Sequence, residues 1–227
     1  MGFFSNLYRV IEKYGVLFLQ GAGCTLALSA VTVLAGTLVG ALLAIVRIAA
    51  GKSGGGKILN GIVTTYVEIL RGTPLLLQLY FFYFLLPQML PFDINEITSI
   101  TLALCINSSA YVSEIIRAGI QAVDRGQTEA ARSLGLNSKQ TMIHVVLPQA
   151  IKNILPALGN EFVTMIKETS LAATFFVGDI MTQYKLVSSA TYLNLEPLAI
   201  AAVVYFVLTF GLSRAVNAFE RRLHAGD

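Results

Sequence analysis

Long apolar runs broken by short polar punctuation set the pattern of this chain. A helix crossing a bilayer needs about 20 mostly apolar residues. Val16 to Val46 exceeds that, and further runs predict five spans: 16–46, 59–86, 97–117, 149–167 and 197–213. Ahead of them, Phe3 to Tyr14 mixes Arg9, Glu12 and Lys13 with Phe3, Phe4, Leu7, Val10 and Ile11, which predicts a short helix lying in the interface. Gly51 to Lys57 reads as a flexible polar turn. Gly72-Thr73-Pro74 predicts a break, because proline removes a helical hydrogen bond and disfavours helix in the residue before it. Pro87 and Pro91 bracket a loop, and Lys167 to Lys185 is a broken segment. The expected fold is all-α and integral to the membrane, with residues 1–227 forming one transmembrane domain.

Composition agrees: 55% of residues are hydrophobic and 13% charged, where a soluble domain carries about a quarter charged residues. The net charge of +3 does not imply nucleic acid, and the placement of the cations is more informative. Arg47, Lys52, Lys57, Arg117, Arg125, Arg132, Lys139, Lys152, Arg214, Arg221 and Arg222 collect on one side of the predicted spans. Only Arg9, Lys13 and Lys185 fall on the other. Eleven against three predicts an outside N-terminus and a cytoplasmic C-terminus. The first apolar run is too long for the core of a cleavable signal and meets no small-residue cleavage site before Arg47. Cys24 and Cys105 lie in apolar runs with no His or Cys at metal spacing, so both read as small hydrophobes and no metal is expected.

One polar island, residues 122–148, stands out on the predicted cytoplasmic side. Glu129-Ala-Ala-Arg-Ser-Leu134 is a strong helix former whose Glu suits an N-terminal helix dipole. Gly135 stands where a helix needs a left-handed residue to stop. Asn137 followed by Gln140 is a capping box opening a second helix, and Pro148 suits the first turn of the next span. Exposed Leu134, Leu136, Met142 and Ile143 would give this helix pair an apolar surface for a partner groove.

Two motifs are decoys. Gly51-Lys-Ser-Gly-Gly-Gly56-Lys57 fits the start of a phosphate-binding loop, but Ile58 stands where a Mg²⁺-holding Ser or Thr is needed. The chain therefore carries no nucleotide site and is not expected to be an enzyme. Asn107-Ser-Ser fits a glycosylation pattern but lies mid-span.

Ionisable groups within spans mark a function or a pair. Glu68 and Arg71, and likewise Glu114 and Arg117, are three apart. They read either as two local ion pairs or as one network that rearranges with an inner gate. Glu161 lies about twelve residues into the fourth span, near the midplane, with no Lys or Arg three or four positions away. Asn107, Gln78 and Tyr111 sit at comparable depth. Together with Glu161 they form either a substrate pocket or a structural hydrogen-bond knot between helices. Thr169 and Ser170 could cap a half-helix whose amides attract a carboxylate, leaving Glu161 for an ammonium group.

The island, Glu129-Ala-Ala followed by Gly135 and Leu147-Pro148, resembles the coupling loop of ABC importer permeases, specifically those for polar amino acids. Ala110-Tyr-Val-Ser-Glu114-Ile-Ile-Arg117, Gly126-Gln-Thr-Glu129, Glu68-Ile-Leu-Arg71-Gly-Thr-Pro74-Leu-Leu-Leu-Gln78 and Lys167-Glu-Thr-Ser170-Leu extend the resemblance over nearly the whole chain. Val145 departs from the usual Ile by one methylene. The resemblance implies the type I importer permease fold and alternating access in a bacterial inner membrane. It implies that Glu129, Ala130, Ala131 and Gly135 dock on a separate ATPase that holds ATP and Mg²⁺, with Leu147 and Pro148 tying the loop to the fourth span. A second permease, identical or paralogous, and an outside substrate-binding protein are the further implied partners. Glu161 favours a basic amino acid, although the same family carries neutral and acidic ones. An ion-coupled transporter using Glu161 as a proton site and a structural subunit are the other readings; the docking loop argues against the first, which has no use for it.

Overall fold

The computed structural model describes residues 2–49 and 54–225. They form α1 (Phe3–Ala49), α2 (Gly54–Gly72), α3 (Leu75–Met89), α4 (Glu96–Gln121), α5 (Arg125–Ser133), α6 (Ser138–Thr141), α7 (Leu147–Glu168), α8 (Ile180–Thr191) and α9 (Leu195–His224). A π-helical turn, Met142–Val146, joins α6 to α7, and a 3-10 turn, Thr169–Phe175, follows α7. No strand occurs among the described residues.

Among the described residues three helical stretches are long and apolar enough to cross a membrane: Phe3–Ile48, Glu96–Gln121 and Leu195–Leu223. The broken pair α2–α3 makes a fourth if counted as one span. Helix α7 has 22 residues but is interrupted by polar side chains and is not among them.

The first correction concerns the N-terminus. No separate interfacial helix exists, because α1 runs unbroken for 47 residues, about 70 Å at 1.5 Å per residue. Nothing between Tyr14 and Val16 can stop it: Gly15 lowers helix stability by only about 1 kcal/mol, and no proline or cap intervenes. The expected turn at 51–57 is also revised. Gly54 to Lys57 already belong to α2, which is incompatible with a phosphate-cradling loop, while 51–53 lie outside the described residues. Helix α3 likewise continues through Pro87 to Met89 and closes with Leu90 N–H on the Leu86 carbonyl. The break at Gly72–Pro74 forms as expected: Pro74 caps α3 with extended ψ, and the Thr73 hydroxyl donates to the Ile69 carbonyl at 2.8 Å.

The helices contribute to two compact units. The first holds 1–32, 74–105 and 162–213. Its core joins Val10 and Phe18 of α1 to Ile180 and Val187 of α8 and Ala201 of α9. At Gly21 a Cβ would stand 3.0 Å from the Ile180 Cα, so glycine is what lets α8 lie against α1. The second unit holds 33–73, 106–161 and 214–227. There Val63 and Val67 of α2 pack on Ala110 of α4, flanked by Leu43, Val46 and Tyr66. Gly36 and Gly40 bring α1 onto α4: added Cβ atoms would meet Ser108 Oγ at 2.6 Å and the Ser109 carbonyl at 2.8 Å. Small residues four apart are how helices approach closely without a hydrophobic drive from lipid.

Candidate functional site

The polar island folds as two capped helices at the end of the second unit. Asp124 opens α5, its carboxylate accepting from Gly126 N–H at 2.7 Å. The helix therefore begins four residues before Glu129, which is exposed in its middle. The acidic group serving the N-terminal amides is Asp124, a correction to the role expected of Glu129. Ala131 is buried and Ala130 exposed.

Helix α5 ends as expected on Gly135, whose φ is +86°. Gly135 N–H donates to the Arg132 carbonyl at 3.0 Å and Leu136 N–H to the Ala131 carbonyl at 3.1 Å. This paired return is the Schellman arrangement, and it satisfies carbonyls the helix leaves open. Leu134, on the outer side of this stop, is 82% exposed. Ile143 is also exposed, whereas Leu136 and Met142 are half-buried, so the apolar surface is narrower than expected.

Asn137 then forms the anticipated capping box. Gln140 N–H donates to Asn137 Oδ1 and Asn137 N–H to Gln140 Oε1, each at 2.9 Å. The next turn is π-helical, with Leu147 N–H reaching back five residues to the Met142 carbonyl. Pro148 explains it. Proline has no N–H to give and its ring crowds the carbonyl four residues earlier, and a wider turn relieves both. The Gln149 side chain donates to the Val145 carbonyl at 2.9 Å and to Gln127 of α5 at 3.4 Å. The second helix is thus continuous from Ser138 into α7.

That backbone carries Glu161, only 9% exposed. Ser108 Oγ of α4 donates to Glu161 Oε1 at 3.4 Å, which links α4 to α7 at this depth. Asn107, 2% exposed, and half-buried Tyr111 lie on the same stretch of α4. Ser108 was missed by sequence reasoning, although Asn107-Ser-Ser was the signal for it: three polar residues in an apolar helix. The Arg71 guanidinium lies over the Tyr111 ring at 5.5 Å.

The charged pairs come out differently. Glu114 accepts from Arg117 as expected, at 2.9 and 3.0 Å through Nε, but it also accepts from Arg47 of α1 at 2.9 Å. Arg117 further reaches Gln121. Among the described residues no ion pair joins Glu68 to Arg71; both are exposed, and Arg71 takes the aromatic face instead. One carboxylate clamping two guanidinium groups replaces the expected two pairs or four-charge network.

Within the first unit, Gln78 and Thr169 are buried and Ser170 half-buried. Thr169 and Ser170 cap no half-helix. The chain passes from α7 into the 3-10 turn without leaving helical backbone, and the Thr169 hydroxyl donates to the Ile166 carbonyl at 2.8 Å. The half-helix starts at Ile180, where buried Asp179 accepts from Met181 N–H at 3.0 Å and Thr182 N–H at 3.2 Å. Its N-terminal amides are already served by a carboxylate of the chain itself. The return needs left-handed backbone at Phe176 and Gly178, with φ of 53° and 91°. Both cysteines are free thiols, and Cys24 Sγ donates to the Val177 carbonyl at 3.4 Å. No group of residues suited to a metal ion occurs among the described residues.

Long apolar helices, together with a capped polar peg continuous with the more polar helix that carries a buried carboxylate, mark a membrane transport subunit. Residues 36–225 match the family described as binding-protein-dependent transport system inner membrane component, and the chain belongs to that family. It is 42% identical to the arginine transport system permease protein ArtQ of Bacillus subtilis (strain 168), over 92% of this chain and 93% of that one. It is 33% identical to the glutamine transport system permease protein GlnP of Escherichia coli (strain K12), over 91% and 93%. A crystal structure of an amino acid ABC transporter with histidines superposes with a TM-score of 0.89 and 44% identity, covering 98% of this chain and 99% of that one. The MetNI methionine ABC transporter, at a TM-score of 0.74 and 19% identity, shares the fold. The chain is thus a permease subunit of a multi-chain transport system and not an enzyme.

Proposed function

We propose that this chain forms the translocation pathway of an ATP-driven importer of polar amino acids. Helix α5, Gly135 and the capped start of α6 dock on a separate ATPase that holds ATP and Mg²⁺. The observation carrying this reading is the doubly capped peg, stopped by Gly135 and restarted by Asn137 and Gln140, running without interruption into the helix of Glu161. Rigidity at both caps suits force transmission. Glu129, Ala130, Ala131, Leu147 and Pro148 complete the docking element.

Two permease copies, identical or paralogous, flank the pathway, and a binding protein outside delivers the substrate. Glu161, with Asn107 and Tyr111 on α4, is the candidate contact for an ammonium or cationic side chain, and Gln78, Thr169 and Ser170 are further candidates. The Glu114 clamp on Arg47 and Arg117 is the candidate inner gate, with Glu68 and Arg71 as further candidate gate charges. The peg faces the cytoplasm and the start of α1 faces outward, in line with the cation asymmetry.

The test is co-purification with an ATPase, followed by vanadate-sensitive uptake of arginine, glutamine or histidine in reconstituted vesicles. Uptake by the chain alone, indifferent to vanadate and driven by an ion gradient, would replace this reading with ion-coupled transport.

A further inference from the structure

Between the peg and α7 the helix changes its winding. Met142–Val146 is a π turn, while Ser138–Thr141 before it and Leu147–Glu168 after it are α-helical. Single π turns are rare inside α-helices and frequent at functional sites.

Pro148 brings the two windings close in hydrogen bonding. In the π turn Leu147 N–H donates to the Met142 carbonyl. Under α winding the same donor would go to the Ile143 carbonyl, one bond in either case. Proline has no N–H to add to either. The carbonyl it fails to serve is that of Ile143 under π winding and that of His144 under α winding. Both residues are exposed, so water can take its place. Thr141, Met142 and Leu147 already have α-region backbone, with φ of −56°, −60° and −63°, so the turn can close without any of them leaving the helical basin.

Two side chains belong to the wide form. Gln149 donates to the Val145 carbonyl at 2.9 Å and to Gln127 of α5 at 3.4 Å, which fastens the turn to the other helix of the peg. The Thr141 hydroxyl, in a residue 2% exposed, has no hydrogen-bond partner among the described residues. Buried hydroxyls are nearly always paired, and one left idle at the mouth of a π turn fits a poised arrangement better than a final one.

We infer that Met142–Val146 is an adjustable joint, π-wound in the free permease and closing toward α winding when the ATPase grips the peg, which turns α5 and α6 about the axis of α7. The inference rests on the docking role of the peg. One residue subtends about 100° of an α-helix, so even part of that change swings the peg by several ångströms.

Pulsed electron-resonance distances between spin labels at Thr128 and Ile151, both exposed, test the joint in the assembled importer with Cys24 and Cys105 replaced. Between the nucleotide-free importer and one trapped with ATP and vanadate, the distance is expected to shift by about 5 Å, the scale of one helical turn. P148A keeps the residue count and restores a donor for the His144 carbonyl, so it favours α winding. Its nucleotide-free distance is expected to match the trapped one, and its ATP hydrolysis to lose its requirement for the binding protein. Q149L, which unfastens the turn from α5, shifts the distance the same way by less. A wild-type distance that is the same in both states overturns the joint. So does a P148A distance equal to that of the nucleotide-free wild type. If P148A does not assemble, the wild-type comparison decides alone. An ATPase that fails to co-purify with the wild type removes the docking role itself, whereas a bound ATPase with unmoved labels removes only the joint.

Discussion

At Gly135 a single backbone angle decides the shape of the coupling element. A φ of +86° is open to glycine and costs other residues about 1–2 kcal/mol, more for a β-branched one. Gly135→Val is expected to loosen the stop between α5 and α6, so that ATP hydrolysis by the assembled importer loses its dependence on substrate while expression persists. Unaltered coupling would show that the stop does not matter. Glu161 is the residue that bears on specificity. Glu161→Gln keeps the shape and the Ser108 contact but removes the charge, so uptake of arginine is expected to fall about tenfold more than uptake of glutamine. Equal effects on both would assign Glu161 to helix packing.

At the scale of elements, the second unit is held by close backbone approach and by one shared carboxylate. Gly40 faces the Ser109 carbonyl, Ser113 N and Val112 at 2.8–2.9 Å, where a larger side chain has nowhere to go. Gly40→Leu is expected to destabilise the detergent-solubilised permease by at least about 1–3 kcal/mol, read as a lowered melting temperature. Gly61→Ala, inside α2 at a position with nothing within 4 Å, serves as the control and is expected to leave the melting temperature unchanged or slightly raised. Glu114 ties α1 to α4 by accepting from Arg47 and Arg117. Glu114→Gln leaves two guanidinium groups without their counter-charge, so hydrolysis is expected to proceed while uptake falls. Transport at the wild-type rate in that variant would remove the clamp from the gating mechanism.

For the whole molecule, the prediction is topological. In a background with Cys24 and Cys105 replaced, a cysteine at Asn6 is expected to react with a membrane-impermeant maleimide in spheroplasts. One at Ser138 reacts only after permeabilisation. The reverse pattern would invert the orientation and place the peg on the wrong side for an ATPase.

What the sequence determined by itself was local or one-dimensional. The caps at Gly135 and Asn137, the break at Pro74 and the helical content follow from backbone preferences that act over three or four residues, so they are legible without a fold. Tertiary structure decided whatever depended on partners distant in the chain. The absence of any proline or cap at Tyr14–Val16 is legible in the sequence, but the packing of Val10 and Phe18 against α8 is not. Arg47 finds Glu114 across 67 positions, and Ser108 finds Glu161 across 53. The half-helix begins at Asp179 rather than Thr169, because the helical backbone of α7 runs on into the 3-10 turn. A side chain's type restricts what it can bond, but which of the eligible partners it meets is set by how the helices pack.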